Sequence, residues 1–318
     1  MGRAEARLSE EMLDSVLLCF GFALGGAGLA SVLRPLRFIG IRTRGLAWAV
    51  AAAGFFFVAL ATHLVDSFFV YFGFALILVG LVSLVRPLRF LYIRTRRRAA
   101  LVTALGAMVG ALALFWPPGS KERVPPTTRL DDWMPQWQLN QQHTIRVGAS
   151  PGKVFAAIRT VRADEIFLFR TLIAIRRCGQ EGPESILNPS DQVPLLDVAT
   201  RTSFVLLAEE PVREIVIGTV VAAPAGTRIA GGLTPELFRK TLPAGVALAT
   251  MNFLVTPDGC GGATLSTETR IYANAPDTLR RFAVYWRVIH PGSDIIRRSW
   301  LRAIKRRAEE KPPRSTTP

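Results

Sequence analysis

The strongest constraint on the fold is a duplicated segment in the N-terminal third of the chain. Residues 13–44 read LDSVLLCFGFALGGAGLASVLRPLRFIGIRTR, and residues 65–96 repeat this pattern as VDSFFVYFGFALILVGLVSLVRPLRFLYIRTR. Self-similarity at a fixed period indicates a duplicated supersecondary unit. Each copy reads as an apolar helix, a basic turn and a second apolar helix, so the sequence predicts two consecutive helical hairpins.

The apolar runs of these hairpins are long enough to cross a bilayer. A helix needs ~20 residues to span ~30 Å of hydrocarbon. We therefore predict an all-α membrane domain, made of repeats 13–64 and 65–116 and preceded by a tail over residues 1–12. Its four transmembrane helices are expected at about residues 13–33, 46–65, 67–85 and 99–116.

Basic residues cluster at the turns between these helices. The chain has 39 Lys and Arg against 24 Asp and Glu, which gives a net charge of +15. Such an excess is typical of nucleic-acid-binding proteins, but here much of it is Arg beside apolar helices, where cytoplasmic loops carry it. Nucleic acid is therefore not the expected partner. We predict instead that membrane lipids contact the two RPLRF turns through Arg34, Arg37, Arg86 and Arg89.

The placement of Arg also predicts an orientation. Both RPLRF turns are rich in Arg, whereas the connection around His63 and Asp66 contains no Lys or Arg. The positive-inside rule then puts both turns in the cytoplasm and both chain ends outside. We predict a multi-pass protein of the bacterial inner membrane whose soluble domain is extracytoplasmic.

A Pro-rich, polar stretch over residues 117–139 is predicted to be a linker. Trp133 and Trp137 within it have two interpretations. Because Trp favours the membrane–water interface, the segment can lie on the bilayer surface. Alternatively, both rings cap the soluble domain.

Residues 140–309 alternate apolar and polar side chains as an α+β domain does. A strand at the start is followed by helices, several antiparallel strands and a long C-terminal helix, which Pro291 is expected to kink or split. Residues 310–318 are polar and rich in Pro and Thr, which predicts a disordered tail.

Two motifs of this domain resemble a known family. The opening HTIRVGASPGKVFAAI (residues 143–158) and the strand TETRIYA (residues 267–273) followed by the terminal helix resemble the SRPBCC or START-like superfamily over residues 142–307. The whole layout is similar to uncharacterised bacterial membrane proteins with an SRPBCC domain. The resemblance implies a helix-grip fold, in which a curved antiparallel sheet and the last helix enclose an apolar cavity. Such domains bind lipids, sterols, polyketides or other apolar molecules, and some are cyclases or ring-modifying enzymes.

Apolar side chains at strand and helix spacing are the candidate lining of that cavity. The same stripes are equally typical of a filled core. The candidates are Phe155, Phe204, Leu206, Ile217, Met251, Phe253, Thr267, Thr269, Phe282 and Trp286.

Glu268 and Arg270 alternate along one strand and have two possible environments. If they face the cavity, they form a polar pair that must be satisfied, because an unpaired buried charge is costly. A solvated outer face is the other interpretation, since charged side chains are rarely buried.

The sequence contains no motif for a metal, a cofactor or a catalytic triad. His143 and His290 stand alone without metal-ligand spacing, and we expect neither a metal nor a cofactor. Cys178 and Cys260 can form a disulfide if the domain lies in an oxidising compartment. Three functions remain open: a membrane-tethered module that binds or transfers an apolar molecule, a cyclase-type enzyme acting in the same cavity, and a structural or sensory membrane protein without a ligand.

Overall fold

The computed structural model describes residues 2–33, 43–62, 64–88, 91, 93–180, 182–224, 233–239 and 242–310. It divides the chain into two compact units, Met1–Trp116 and Pro117–Pro318. The boundary coincides with the end of the last predicted span, and each unit is described by itself.

In its described part, the first unit is made of helices that pair as α1 with α2 and α3 with α4. These are α1 Gly2–Leu33, α2 Arg44–Ala61, α3 Val65–Val85 and α4 Arg96–Phe115. Thr43 and Thr95 occupy the same position in the two copies, and their Oγ1 atoms accept hydrogen bonds from the backbone N–H groups of Leu46 (3.2 Å) and Arg98 (3.3 Å). Because a side-chain acceptor at the N-cap favours helix initiation, the repeated IRTR motif sets where the second helix of each hairpin begins.

Glycines bring the two helices of each hairpin into close contact. A Cβ atom added at Gly28 would overlap the backbone of Ala51, and one added at the equivalent Gly80 would overlap Thr103. A Cβ atom at Gly26, in contrast, would meet nothing within 4 Å. Small residues let helix backbones approach closely in membranes. The duplication therefore preserves a helix–helix contact as well as a sequence pattern.

Two helices of this unit, Ser67–Val85 and Arg96–Phe115, are long and apolar enough to cross a membrane. The apolar stretches Val16–Val32 and Gly45–Ala61 are shorter than these two helices. The prediction of an N-terminal helical region is confirmed, but two helices of the described chain, not four, are clearly membrane-like. Among the predicted interfacial residues, Arg86 is exposed directly after α3, and Arg34, Arg37 and Arg89 lie outside the described residues.

A five-stranded antiparallel sheet and one long helix dominate the second unit. The strand order is β3-β7-β6-β5-β4, and the predicted antiparallel sheet with a long C-terminal helix is confirmed. The described elements are β1 Lys121–Glu122, α5 Arg129–Trp133, β2 Gln136–Trp137, β3 Leu139–Val147, α6 Pro151–Thr160, a 3₁₀ turn Ala163–Glu165, α7 Phe169–Arg176, α8 Leu195–Thr202, β4 Val205–Glu210, β5 Glu214–Ala222, α9 Pro235–Arg239, β6 Ala247–Pro257, β7 Ala263–Ala273 and α10 Pro276–Glu309.

One face of the sheet, here called the inner face, packs against α10, α6 and α8. Because strand side chains alternate between faces, every second residue of β6 and β7 contributes to this core. The helix α10 is continuous through Pro291, although Pro291 has no N–H to donate to the carbonyl of Arg287. Apolar contacts with the sheet on both sides of Pro291, at Trp286 and at Trp300, hold the two halves in one helix.

The opposite, outer face of the sheet is covered by residues 121–137. These residues, which the sequence predicts to be a linker, form β1, α5 and β2 instead. Leu130, Met134 and Trp137 are buried against Val216 and Phe238. Of the two interpretations of the Trp residues, the structure has the one in which the rings cap the domain: Trp137 is 4% exposed, and Trp133 packs edge-on against Phe238. An interfacial position for Trp137 is therefore wrong, because its ring is enclosed by the domain.

Candidate functional site

The interface between α10 and the inner face has three zones along the helix. In its C-terminal half, Trp300 packs edge-on against Phe253 in the larger apolar cluster. In its N-terminal half, Phe282 and Trp286 belong to a second apolar cluster. Buried polar side chains lie between the two clusters and are called the polar belt here. Its members are Gln141 and His143 on β3, Thr267 and Thr269 on β7, and His290 and Asp294 on α10.

Strand register and helix spacing assemble the polar belt. The β3–β7 pairing sets Gln141 opposite Thr269 and His143 opposite Thr267. Cross-strand neighbours on one face are close enough to interact. On α10, His290 and Asp294 are one turn apart, so both side chains lie on the face that contacts the sheet.

The centre of the polar belt is a buried histidine–carboxylate pair. His143 Nε2 lies 3.4 Å from Asp294 Oδ1, and Asp294 Oδ2 accepts a hydrogen bond from Arg298 Nε at 2.8 Å. Gln141 Oε1 accepts one from Ser293 Oγ at 2.9 Å, while Gln141 Nε2 has no hydrogen-bond partner among the described residues. Buried polar groups are normally satisfied, so this amide can accommodate a water molecule or a polar ligand group.

Burial keeps the histidine of this pair neutral. It lowers the pKa of His143 to about 4; Asp294 opposes the shift, and the positive charges of Arg298 and Arg297 reinforce it. Burial also lowers the pKa of Arg297 to about 10, with a further contribution from Arg176. At neutral pH the neutral imidazole of His143 therefore lies between the Asp294 side chain and the charged guanidinium groups of Arg297 and Arg298.

An open cleft of about 520 Å³ lies beside the N-terminal half of α10 and is called the α10 cleft here. Phe282 joins it to the second apolar cluster and contacts Tyr285 edge-on, with 5.6 Å between the ring centroids. The polar side chains in its wall are those of Thr278, Arg281 and Tyr285. Among the described residues, those that line the cleft are Val221, Ala222, Ala223, Pro224, Gly245, Thr278, Arg281, Phe282 and Tyr285.

The residues predicted to line a cavity are dispersed. Ile217, Met251 and Phe253 are fully buried in the larger apolar cluster, and Phe155 and Phe204 pack against it. These side chains therefore fill a core here. Leu206 is 36% exposed on β4, the strand at the edge of the sheet. Thr267 and Thr269 belong to the polar belt, and Trp286 is buried within the second cluster. Of the predicted set, only Phe282 lines the α10 cleft.

Glu268 and Arg270 are on the outer face, but they are buried. The guanidinium of Arg270 donates to both carboxylate oxygens of Glu268, at 2.9 and 3.2 Å, to Asp131 Oδ1 at 2.7 Å and to the carbonyl of Met134 at 2.8 Å. It also stacks on Trp137, 3.8 Å from the ring centroid. The expectation of a solvated outer face is wrong, because residues 121–137 cover these charges and pair them.

The same face holds a second buried carboxylate contact. Glu214 on β5 accepts hydrogen bonds from the first backbone N–H groups of α5, at Arg129 (2.8 Å) and Leu130 (3.2 Å), and from Asn252 Nδ2 at 2.6 Å. A carboxylate at a helix N-terminus satisfies free amides and interacts favourably with the helix dipole. Glu214 thereby fixes α5 to the sheet.

Asp131 connects the two contacts. Burial would raise its pKa, but hydrogen bonds from Thr127 and Arg270 lower the pKa to about 2. Sequence reasoning missed Asp131, Glu214 and Asn252. The capping box formed by Thr128 and Asp131 was the available signal, because a Thr followed three residues later by an acidic residue is typical of a helix start.

We compared the chain with known proteins and found no relative. No protein-family model matches the chain, and neither a curated protein nor a solved structure is significantly similar to it. Function is therefore inferred from the geometry of this chain.

A further cleft of about 350 Å³ lies on the outer face. Trp133, Phe238 and Tyr272 contribute aromatic walls, and the guanidinium of Arg239 lies 4.0 Å from the centroid of the Trp133 ring. Because this cation already occupies the aromatic face of Trp133, the wall is less apolar than that of the α10 cleft.

The cysteines of the domain are not joined to each other. Cys178 and Cys260 are both free and exposed. In the part of the chain that the structure describes, no three His, Cys, Asp or Glu side chains are grouped so that they could hold a metal ion.

Proposed function

We propose that the second unit is a membrane-tethered, START-like domain that binds or transfers a lipid or another apolar small molecule in the α10 cleft. The observation that carries the proposal is the apolar wall of this cleft, which continues through Phe282 into the second apolar cluster. Its volume of about 520 Å³ is within the range of small-molecule sites, roughly 300–1,000 Å³. The order of strands and helices, with the last helix along the sheet, agrees with the helix-grip resemblance.

The second part of the proposal is that the helices of the first unit anchor the chain in a membrane. The spans Ser67–Val85 and Arg96–Phe115 anchor the chain, and we assign the shorter apolar stretches Val16–Val32 of α1 and Gly45–Ala61 of α2 to the same bilayer, as the first copy of the duplicated hairpin. Under the positive-inside rule, the soluble domain is extracytoplasmic in the bacterial inner membrane. Membrane lipid is then the nearest source of an apolar ligand.

The polar belt favours a second candidate, a cyclase-type enzyme. His143 and Asp294 are a buried acid–base pair with 3.4 Å between the nearest side-chain atoms. A catalytic base works best with a pKa near the operating pH, and the lowered pKa of His143 makes this pair a weaker base than a catalytic histidine normally is. Ligand binding is therefore the first candidate.

Native mass spectrometry of the purified full chain, followed by solvent extraction, tests the proposal. We expect a co-purifying apolar molecule at near one per chain. A chain with only its own mass, which also fails to bind an apolar fluorescent probe, would contradict binding. Comparison with His143→Gln separates the two candidates. If the protein is an enzyme, the original chain should yield the product and the variant the unconverted substrate, so the two extracted molecules differ in mass. If it is a binding module, both chains should yield the same molecule.

A further inference from the structure

The helix α7 and the long helix α10 together present large apolar side chains to solvent. On the α7 side these are Phe167, Leu168 and Ile175, and on α10 they are Tyr285, Val288 and Ile295. We call these six residues the α7–α10 face. Phe167 and Ile175 are about two-thirds exposed, at 67% and 68%. Single exposed apolar residues are ordinary, but a group of this kind marks an interaction surface.

Contacts at both ends show that the two parts of the face are adjacent. Arg306 donates to the carbonyl of Glu165 at 2.7 Å, just before α7, and Arg176 at its end donates to Tyr285 Oη at 2.8 Å. Residues 165–176 therefore run antiparallel beside α10. Tyr285, Val288 and Ile295 are spaced by three and seven residues, which places them on one side of the helix.

Positive charge surrounds the α7–α10 face. Arg281 and Arg302 are exposed on the same side of α10, one before and one after the residues of the face. Arg176 lies where α7 contacts Tyr285. Among the described residues, no carboxylate forms an ion pair with any of these three Arg side chains. In the described part of the chain, the acidic side chains on the elements beside the face are paired: Asp164 with Arg162, Glu165 with Arg307, Asp191 with Arg170, Asp277 with Arg280, and Asp294 with Arg298. Arg176, Arg281 and Arg302 therefore give this described part of the surface a net positive charge.

We infer that the α7–α10 face docks on an anionic bilayer surface. Apolar side chains ringed by Arg and carrying a Tyr at the edge match the boundary between acyl chains and anionic headgroups. A globular partner would need a complementary acidic surface, whereas a bilayer supplies negative charge along the whole face. The second unit follows the candidate span Arg96–Phe115 directly in the chain, so a bilayer that this helix crosses is close to it.

Docking also bears on the α10 cleft. Arg281 and Tyr285 belong both to the edge of this face and to the lining of the cleft, so the docked face puts the cleft opening at the lipid surface. The ligand would then be taken from the leaflet itself. This last step rests on the ligand binding of the proposed function, whereas docking rests only on its membrane tether and can be measured without a ligand.

The test uses the full chain in nanodiscs with a fluorophore on the face. Cys19, Cys178 and Cys260 are replaced by Ser, and Ile295→Cys is labelled with an environment-sensitive dye. In discs of phosphatidylcholine with about 30% phosphatidylglycerol, we expect the docked face to bring the dye into the bilayer surface. The dye emission should then shift to the blue and be quenched by spin-labelled lipid. Each cation near an anionic surface favours docking by about fivefold. The label at Val212→Cys, on the exposed turn between β4 and β5, should remain unquenched.

Charge reversal and lipid charge supply the controls. Pure phosphatidylcholine discs, high salt, or Arg281→Glu combined with Arg302→Glu should each lower quenching at position 295, the double variant by about tenfold or more. Absent quenching at position 295 in anionic discs would overturn the inference. So would equal quenching at position 212, or a blue shift without lipid quenching, which indicates a second copy or another protein on the face.

Discussion

Arg270 is the residue on which the outer face depends most. Its guanidinium is fully buried and makes charge-assisted hydrogen bonds to Glu268 and Asp131. Removing one partner of a buried ionic group leaves the remaining charges without compensation. Without the guanidinium of Arg270, the carboxylates of Glu268 and Asp131 would stay buried without this positive partner.

Arg270→Met should therefore be strongly destabilising. We expect a loss of about 3–5 kcal/mol in the free energy of unfolding, measured by urea denaturation with tryptophan fluorescence. Arg213→Met is the matched control, because Arg213 pairs with Glu210 on the exposed β4–β5 turn and should leave the unfolding midpoint unchanged. Equal stability of both variants would show that the buried network contributes little.

Two residues should lower the free energy of unfolding in two different ranges of acid pH. The folded pKa of His143 is lowered from 6.5 to about 4, so its contribution is complete above about pH 6.5 and is lost as the pH falls towards 4. The folded pKa of Asp131 is lowered from 3.8 to about 2, so its contribution is lost between about pH 4 and pH 2. The loss should be on the order of 3 kcal/mol for His143 and on the order of 2 kcal/mol for Asp131.

Unfolding free energies across pH 2–8 measure both windows. His143→Gln should flatten the stability profile between about pH 6.5 and 4, and Asp131→Asn should flatten it below about pH 4. A profile of His143→Gln that still falls in the upper window would show that a group other than His143 causes that loss.

Among the structural elements, the helical hairpins depend on a few glycines. Gly28 and Gly80 occupy equivalent positions and are both in contact with the facing helix, whereas Gly26 is not. Replacing Gly28 by Leu must push α1 away from α2, because the new side chain would overlap the backbone at Ala51.

Gly28→Leu should lower the thermal unfolding temperature of the chain in detergent by several degrees, and Gly80→Leu should do the same for the second hairpin. Gly26→Leu is the internal control and should have little effect, since nothing lies within 4 Å of its Cβ position. If Gly26→Leu were as destabilising as Gly28→Leu, the helices of the first hairpin would pack through a different face.

Element by element, the local patterns predicted the fold well. The alternation of apolar and polar residues predicted the strands, and apolar residues at helical spacing predicted α10. Both signals are contained within short stretches of sequence. Residues 121–137 could not be assigned in the same way. Their structure depends on Glu214 and Arg270, which lie far along the chain and supply the partners of α5.

For the whole molecule, the sequence predicted two units and the arrangement of helix and sheet, but not the position of the candidate site. The predicted cavity residues were those with the strongest apolar pattern, and such residues, like Met251 and Phe253, fill the core. The α10 cleft is instead lined by ordinary residues such as Ala223 and Thr278, which no local pattern distinguishes. Its existence depends on how β5 ends beside α10.

If the α10 cleft holds an apolar ligand, a substitution that fills the cleft should displace this ligand. Ala223→Trp should fill the cleft, and Ala156→Trp, on the exposed side of α6, serves as the control. Native mass spectrometry of the three full chains measures the co-purifying molecule per chain. We predict near one for the original chain and for Ala156→Trp, with a loss of most of the ligand from Ala223→Trp. Unchanged occupancy in Ala223→Trp would show that the ligand binds outside the α10 cleft.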